Sequence, residues 1–269
     1  MRIAFVSDIH GNLPALQAVV ADIARRGVDR VINLGDSLSG PLLPEETAQF
    51  LMAQDWLHLG GNHERQLLDR PVDRMSAAPG RSQASSHRSP QGEGIPMDPT
   101  DAHARARLSP QALHWIAAQR PVHRLDDEVL LCHGSPRSDL EYFLETVAPE
   151  GLHLASADEI AQRRGDTPAR LIACGHSHLP RALRAPDGCL LLNPGSVGLP
   201  GYDDDHPHLH WVDNGSPDAR YAIAERSTDG LWSAELHAVP YDHGAMAALA
   251  RRHGREDWAV PLATGYALR

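Results

Sequence analysis

Short, wholly apolar runs alternate with amphipathic stretches through the N-terminal quarter of the chain. Ile3 to Val6 reads as a strand buried on both faces, and Pro14 suits the first turn of the helix that follows. That helix carries Leu16, Val19, Val20 and Ile23 on one face and closes at Gly27. Val31 to Leu34 is the next strand, Glu45 to Ala53 the next helix, and Trp56 to Leu59 a third strand. A β-α-β-α-β order implies parallel strands joined by right-handed crossovers.

The pattern then breaks. From Ser76 to Thr100 the chain is rich in Ser, Pro, Gly, Gln and Arg, with only Ile95 and Met97 as sizeable apolar residues. Such a segment buries too little surface to offset its ordering entropy, so it reads as a flexible insertion within the fold. Beyond it, Ser109-Pro110 opens a helix running through Gln119, and Pro121 to Leu125 faces Glu128 to Cys132 across an Asp126-Asp127 turn. Ser156-x-x-Glu159 is a capping box, and Ala169 to Cys174 is a strand. The remainder is mostly hairpins: Arg181 to Ala185 with Leu190 to Asn193, then Tyr221 to Arg226 with Leu231 to Val239. Asp242 caps a final, C-terminal helix at about 243–252. The expectation is one α/β domain over 1–269, with mixed sheets and no internal repeat.

Composition narrows the chemistry. The chain has 269 residues and a formal net charge of −10, which disfavours a strong nucleic-acid or anionic-membrane surface. Its 25 basic residues are all Arg, which excludes Schiff-base and P-loop lysine chemistry. The three cysteines are widely spaced, so a disulfide scaffold is not expected. The apolar stretch after Met1 is too short for a signal-peptide core, and the longest apolar run, Ala245 to Ala250, cannot span a bilayer. These features point to a cytoplasmic protein without a membrane partner. The 17 histidines demand an explanation.

Five of them stand where a strand ends. Asp8-Ile9-His10, Gly35-Asp36, Gly61-Asn62-His63, His133-Gly134 and Gly175-His176-Ser177-His178 each follow an apolar run. In parallel α/β sheets, sites form beyond the carboxyl ends of the strands, so these turns should converge. Singly each is a commonplace turn. Together they place ligand-capable side chains at every strand end, and helix capping does not account for the paired histidines.

In order and spacing these motifs resemble the calcineurin-like metallophosphoesterases. Asp8-Ile9-His10-Gly11-Asn12 and Asn193-Pro194-Gly195-Ser196-Val197 resemble the small bacterial and archaeal phosphodiesterase branch, and the likeness spans about residues 1–200. The resemblance implies a four-layer α/β/β/α sandwich with two mixed sheets. It implies two divalent transition-metal ions, one held by Asp8, His10, Asp36 and His178, the other by Asp36, Asn62, His133 and His176. His63 would be the general acid. Glu64 stands where the family usually has Asp. Mixed nitrogen and oxygen donors suit Mn, Fe, Zn or Ni alike.

The activity so implied is a phosphoesterase acting on phosphodiesters of small or nucleotide-like substrates. A dinucleoside polyphosphate hydrolase, a protein or phosphomonoester phosphatase, and an inactive scaffold are the alternatives. Two divalent ions outweigh the charge of Asp8 and Asp36, so an acidic chain can still draw a phosphate. Asn12, Arg137 and Arg181 closely follow ligand turns and are candidate substrate contacts. Cys132 and Cys174 read as core, and Asp203 to His210 as a solvated loop that could hold a further metal.

Overall fold

The computed structural model describes residues 1–68 and 97–269. Most of the expected insertion at 76–100 lies outside them. Its last residues do not fit the expectation, because Pro99 and Thr100 begin a helix.

The N-terminal alternation folds as β1 (Arg2–Val6), α1 (Leu13–Arg26), β2 (Arg30–Asn33), α2 (Pro44–Met52) and β3 (Leu57–His58). The three strands are parallel neighbours. Three helices follow: α3 (Asn62–Leu67), α4 (Pro99–Arg105) and α5 (Pro110–Ala117). β4 (Val122–Arg124) and β5 (Val129–Cys132) form the expected hairpin. Then come the hairpin β6 (Glu145–Ala148) with β7 (Gly151–Leu154), α6 (Ala157–Arg164) and β8 (Leu171–Ala173). β9 (Arg181–Arg184) pairs with β10 (Leu190–Asn193), and β11 (Gly201–Asp204) with β12 (His210–Asp213). β13 (Ala219–Arg226) and β14 (Trp232–Val239) precede α7 (His243–Arg252) and α8 (Glu256–Thr264).

Two five-stranded mixed sheets result, ordered β14-β13-β1-β2-β3 and β4-β5-β8-β10-β9. Strand alternation then builds the layers. Ile3 and Phe5 of β1 face Val129 and Leu131 of β5 and Leu190 and Leu192 of β10 in the core between the sheets. Ala4 and Val6 point the other way, onto Leu16 and Val19 of α1, Leu51 of α2 and Ile116 of α5. Leu130, Cys132, Ile172, Cys174 and Leu191 meet Ile160 of α6 on the outside of the second sheet. The architecture is the four-layer α/β/β/α sandwich, and Cys132 and Cys174 lie in its core as their alternation required.

β13 joins β1 antiparallel, so residues near the C-terminus complete the sheet begun at the N-terminus. α7 and α8 add a smaller core with Leu42 and Leu199, in which Trp258 is buried.

Candidate metal centre

The ligand-bearing turns meet because their backbones continue the sheet pairing beyond the strands. Asp8 N donates to Gly35 O at 2.9 Å and His10 N to Asp36 O at 3.0 Å, which ties the turns after β1 and β2 together. Gly175 N donates to His133 O at 2.7 Å, which ties the turns after β5 and β8. Gly61 must lack a side chain, since a Cβ there would fall 2.2 Å from Asp36 Oδ1. Among the described residues, five non-glycine residues have positive φ: Asp8, His10, Asp36, His176 and His178. Such backbone costs on the order of 1–3 kcal/mol per residue and persists where function requires it. All five belong to the set that the motifs singled out.

Their side-chain donor atoms form two clusters, Asp8 with His10 and His178, and Asp36 with His133 and His176; within each, the atoms lie within 4.8 Å of one another. Asn62, at the first position of α3, puts Oδ1 3.1 Å from His133 Nε2. Asp36 Oδ2 is 3.0 Å from the same nitrogen, and Asp36 Oδ1 accepts from His63 N at 3.0 Å.

The outer nitrogens of the rings set their tautomers. His178 Nδ1 donates to Leu199 O at 2.8 Å and His133 Nδ1 to Leu34 O at 2.9 Å. His10 Nδ1 faces Ser39 O and Ser39 Oγ at 3.2 and 2.8 Å. A carbonyl only accepts, so each Nδ1 carries a proton, and in the rings that are neutral Nε2 turns a lone pair inward. His10 Nε2 and His178 Nε2 then face each other at 3.1 Å, and His133 Nε2 faces two oxygen acceptors. The facing nitrogens of His10 and His178, with no donor between them and Asp8 beside them, call for a cation, and nitrogen with carboxylate oxygen is the donor set of a divalent transition metal.

Charge around the cluster follows the same arrangement. Burial and neighbouring His178 hold His10 down at about 3, and burial with His133 holds His176 at about 4, so both stay neutral. Burial opposes protonation of His133, yet the Asp36 carboxylate lifts it to about 10, so without a cation its Nε2 donates to Asp36 Oδ2, and a bound metal would take that proton's place. Asp36, buried though it is, stays well below the usual carboxylate range because His133 and His63 face it.

His63 adjoins the first cluster, its ring 5.4 Å from that of His10 and at right angles to it. It is not free to turn. Its Nδ1 is 2.8 Å from Asp101 Oδ1, and Asp101 is buried at the start of α4. Burial works against protonated His63, but Asp36 and Asp101 raise it to about 9.

The substrate contacts expected at Asn12 need correction. Asn12 is buried; its Oδ1 caps α1 at Ala15 N, and its Nδ2 donates to Gly198 O and to Tyr241 Oη. Nothing remains to meet a ligand. Arg137 forms an ion pair with Glu141, and Arg181 with buried Glu145 at 3.1 Å, so both guanidinium groups already have carboxylate partners. Within 203–210, Asp203 and Asp204 lie in β11, while buried His210 meets Tyr142 Oη at 3.2 Å.

Several site residues have roles that the sequence did not reveal, among them Glu64 and the Asn193 motif, which it had singled out. Glu64 Oε2 accepts from Asp36 N at 2.8 Å and Gly61 N at 2.7 Å, and Oε1 accepts from Ser37 N at 2.7 Å. Asn193 Nδ2 donates to Gly175 O, and Ser196 Oγ to Asp8 O. The Asn193-Pro194-Gly195-Ser196-Val197 motif therefore holds the ligand turns. Trp258 sets its ring edge-on to His10 at 5.6 Å. Asp101 was hidden in a segment of low apolar content, with no periodic signal to mark it.

The fold is similar to that of known structures. A metallophosphoesterase from Sphaerobacter thermophilus is 24% identical, with a TM-score of 0.68 over 98% of this chain and 99% of that one. Hypothetical protein PH1004 from Pyrococcus horikoshii OT3 is 15% identical, with a TM-score of 0.67 over 99% of each chain. These likenesses concern the fold. Uncharacterized protein MJ0912 from Methanocaldococcus jannaschii is 38% identical over 68 residues, which is 25% of this chain and 28% of that protein. Residues 1–214, which contain every candidate ligand, match the family model of the calcineurin-like phosphoesterase superfamily domain, and the chain belongs to that superfamily.

Proposed function

We propose that the protein is a dinuclear-metal phosphodiesterase acting on small or nucleotide-like substrates. The observation that carries this reading is the His10 and His178 Nε2 atoms facing each other at 3.1 Å with no donor between them, beside a second cluster of Asp36, His133 and His176. Asp8, His10, Asp36 and His178 would hold one ion, and Asp36, Asn62, His133 and His176 the other. Two divalent ions, when bound, supply electrophilic activation of a phosphoryl group and a nucleophile generated from water at neutral pH.

The chain's own residues do the rest. The carbonyls of Leu34 and Leu199 hold the His133 and His178 rings with Nε2 inward, so loading needs no turn of either ring and, at His133, only loss of the Nε2 proton. His63 has Nδ1 committed to Asp101, which leaves Nε2 as the site from which a proton passes to the leaving oxygen. A diester needs that proton because an alkoxide is a poor leaving group. Arg65, Arg137 and Arg181 are paired with Asp139, Glu141 and Glu145, so they do not offer the extra cation that a dianionic monoester calls for.

Metal analysis tests the first half: purified protein should carry about two transition-metal equivalents per chain, and chelation should abolish hydrolysis reversibly. Metal-free protein with full activity in chelator would overturn the reading. His63→Asn tests the second half. It should retain metal and lose roughly 10²–10⁴ in rate on substrates with an alkoxide leaving group, but far less on nitrophenyl diesters, whose leaving group departs unprotonated.

A further inference from the structure

We infer that Arg255, in the C-terminal helical pair, is a positioning residue for the His63–Asp101 pair and acts on it through Thr100 and α4. The inference rests on the acid role proposed for His63.

Asp101 reaches His63 from a helix of only seven residues. So short a helix has no stability of its own, and its contacts decide where its side chains point. Asp98 caps it by accepting from Thr100 N at 2.7 Å, which sets the first turn but not its place in the fold. The last turn is tied to α3, where the Arg105 guanidinium donates to Leu67 O.

The first turn, which carries Asp101, is tied to the C-terminal helices. Arg255 donates through Nη2 to Thr100 Oγ1 at 2.8 Å. Thr100 is buried and directly precedes Asp101. Two turns of chain contribute to the same seam, where the His103 ring meets that of His253 at 4.7 Å, and His253 Nδ1 donates to Pro41 O at 2.6 Å. Arg255 is itself held, by Asp257 through Nε at 2.9 Å and by the face of Trp258 at 5.8 Å. Trp258 in turn lies edge-on to His10. One short stretch, Arg255 to Trp258, therefore bears on a candidate ligand directly and on the candidate acid at one remove.

A hydrogen bond between imidazole and carboxylate orients the ring only as well as the carboxylate is itself located. With Thr100 released, α4 keeps its tie to α3 but its first turn gains freedom. Asp101 then samples positions from which it no longer aims His63 Nε2 at a leaving oxygen. Binding of metal, held by other turns, should be unaffected.

The test compares Arg255→Met and Thr100→Val, which remove the donor and the acceptor while keeping volume, with Thr100→Ser, which restores the hydroxyl. His63→Asn serves as reference. In metal-free protein labelled with ¹⁵N-histidine, the Nδ1–H signal that disappears in His63→Asn should broaden by faster exchange with water in Arg255→Met and Thr100→Val, and return in Thr100→Ser. In reconstituted protein with unchanged metal content, the first two variants should lose roughly 3- to 30-fold on a diester with an alkoxide leaving group and under about 2-fold on a nitrophenyl diester, a fraction of the full effect of a general acid. An unbroadened signal, or equal losses on both substrates while His63→Asn discriminates between them, overturns the inference. Failure of His63→Asn to discriminate overturns the acid role, and the inference falls with it.

Discussion

Glu64→Ala should be among the most damaging changes outside the ligands, because one carboxylate satisfies three buried backbone donors. Asp36 N, Ser37 N and Gly61 N all point at it within 2.8 Å. Each buried N–H left without a partner costs about 1–3 kcal/mol, which sets a gross loss of about 3–9 kcal/mol. Burial raises the pKa of Glu64, so some of the gross term already offsets desolvation of the carboxylate, and the net loss falls near the lower bound. For a chain of this size about 3 kcal/mol corresponds to a fall in Tm of about 6–12 °C. Glu64→Gln keeps one oxygen, which can still accept from Asp36 N and Gly61 N, but turns an NH₂ toward Ser37 N. Its cost should be about 1–3 kcal/mol. Both variants should also lose metal, since the carboxylate fastens the Asp36 turn to the start of α3, where Asn62 sits. Thermal denaturation followed by circular dichroism, on metal-free and reconstituted protein, measures the stability, and elemental analysis measures the metal. A Glu64→Ala Tm within about 2 °C of wild type, or a Gln variant as damaged as Ala, would refute the hydrogen-bond account.

Asp36→Ala should deplete both metals together, seen as a stoichiometry falling toward zero rather than to half, since Asp36 would serve both ions in the proposed ligand set. Asn12→Ala should lower stability by about 2–3 kcal/mol through the lost helix cap and two orphaned buried partners, with KM unaltered in steady-state kinetics. Gly40→Ala should cost about 2–4 kcal/mol in chemical denaturation, because Gly40 has φ of 133° and a Cβ there would sit 2.8 Å from both His10 O and the Trp258 ring. Asp22 accepts a 2.6 Å hydrogen bond from Tyr221 Oη, and this with Arg26 and Arg25 lowers its pKa to about 2. A depressed carboxylate stabilises the fold above its unfolded pKa and loses that contribution as pH falls toward 2, so Asp22→Asn should flatten the decline of Tm between pH 4 and pH 2.

Where the hydrophobic pattern was strong, it located the elements. The strands around Ile3 to Val6, Glu128 to Cys132 and Leu190 to Asn193 are buried on both faces, so their apolar runs are continuous and bounded by turns. The hairpins β6–β7 and β11–β12 gave no such signal, for they are short, half-exposed and built from residues such as Glu145, Thr146, Asp203 and Asp204. α8 escaped because Pro261 lies inside it, a residue that ordinarily marks the end of a helix. Its core contacts with Leu42 and Leu199 outweigh the hydrogen bond that Pro261 cannot make.

What the sequence determined by itself was the set of ligand-capable residues and the rule that collects them. Asp8, His10, Asp36, Asn62, His63, His133, His176 and His178 each stand in a turn that follows a strand, and parallel strands within a sheet put such turns on one edge. That inference needs only local pattern and connectivity. The resemblance sets His63 apart as the acid, and only the packing of the two sheets brings their two edges together. Tertiary structure decided which nitrogen of each imidazole faces inward, since that depends on carbonyls of Leu34, Ser39 and Leu199 that are remote in sequence. It decided that Asn12 is a cap, that Arg137 and Arg181 already have carboxylate partners, and that Glu64 and Asp101 serve the site. The physical reason is the same in each case: a polar side chain's role is set by the partner that satisfies it once water is excluded, and that partner is supplied by the fold rather than by the neighbouring sequence.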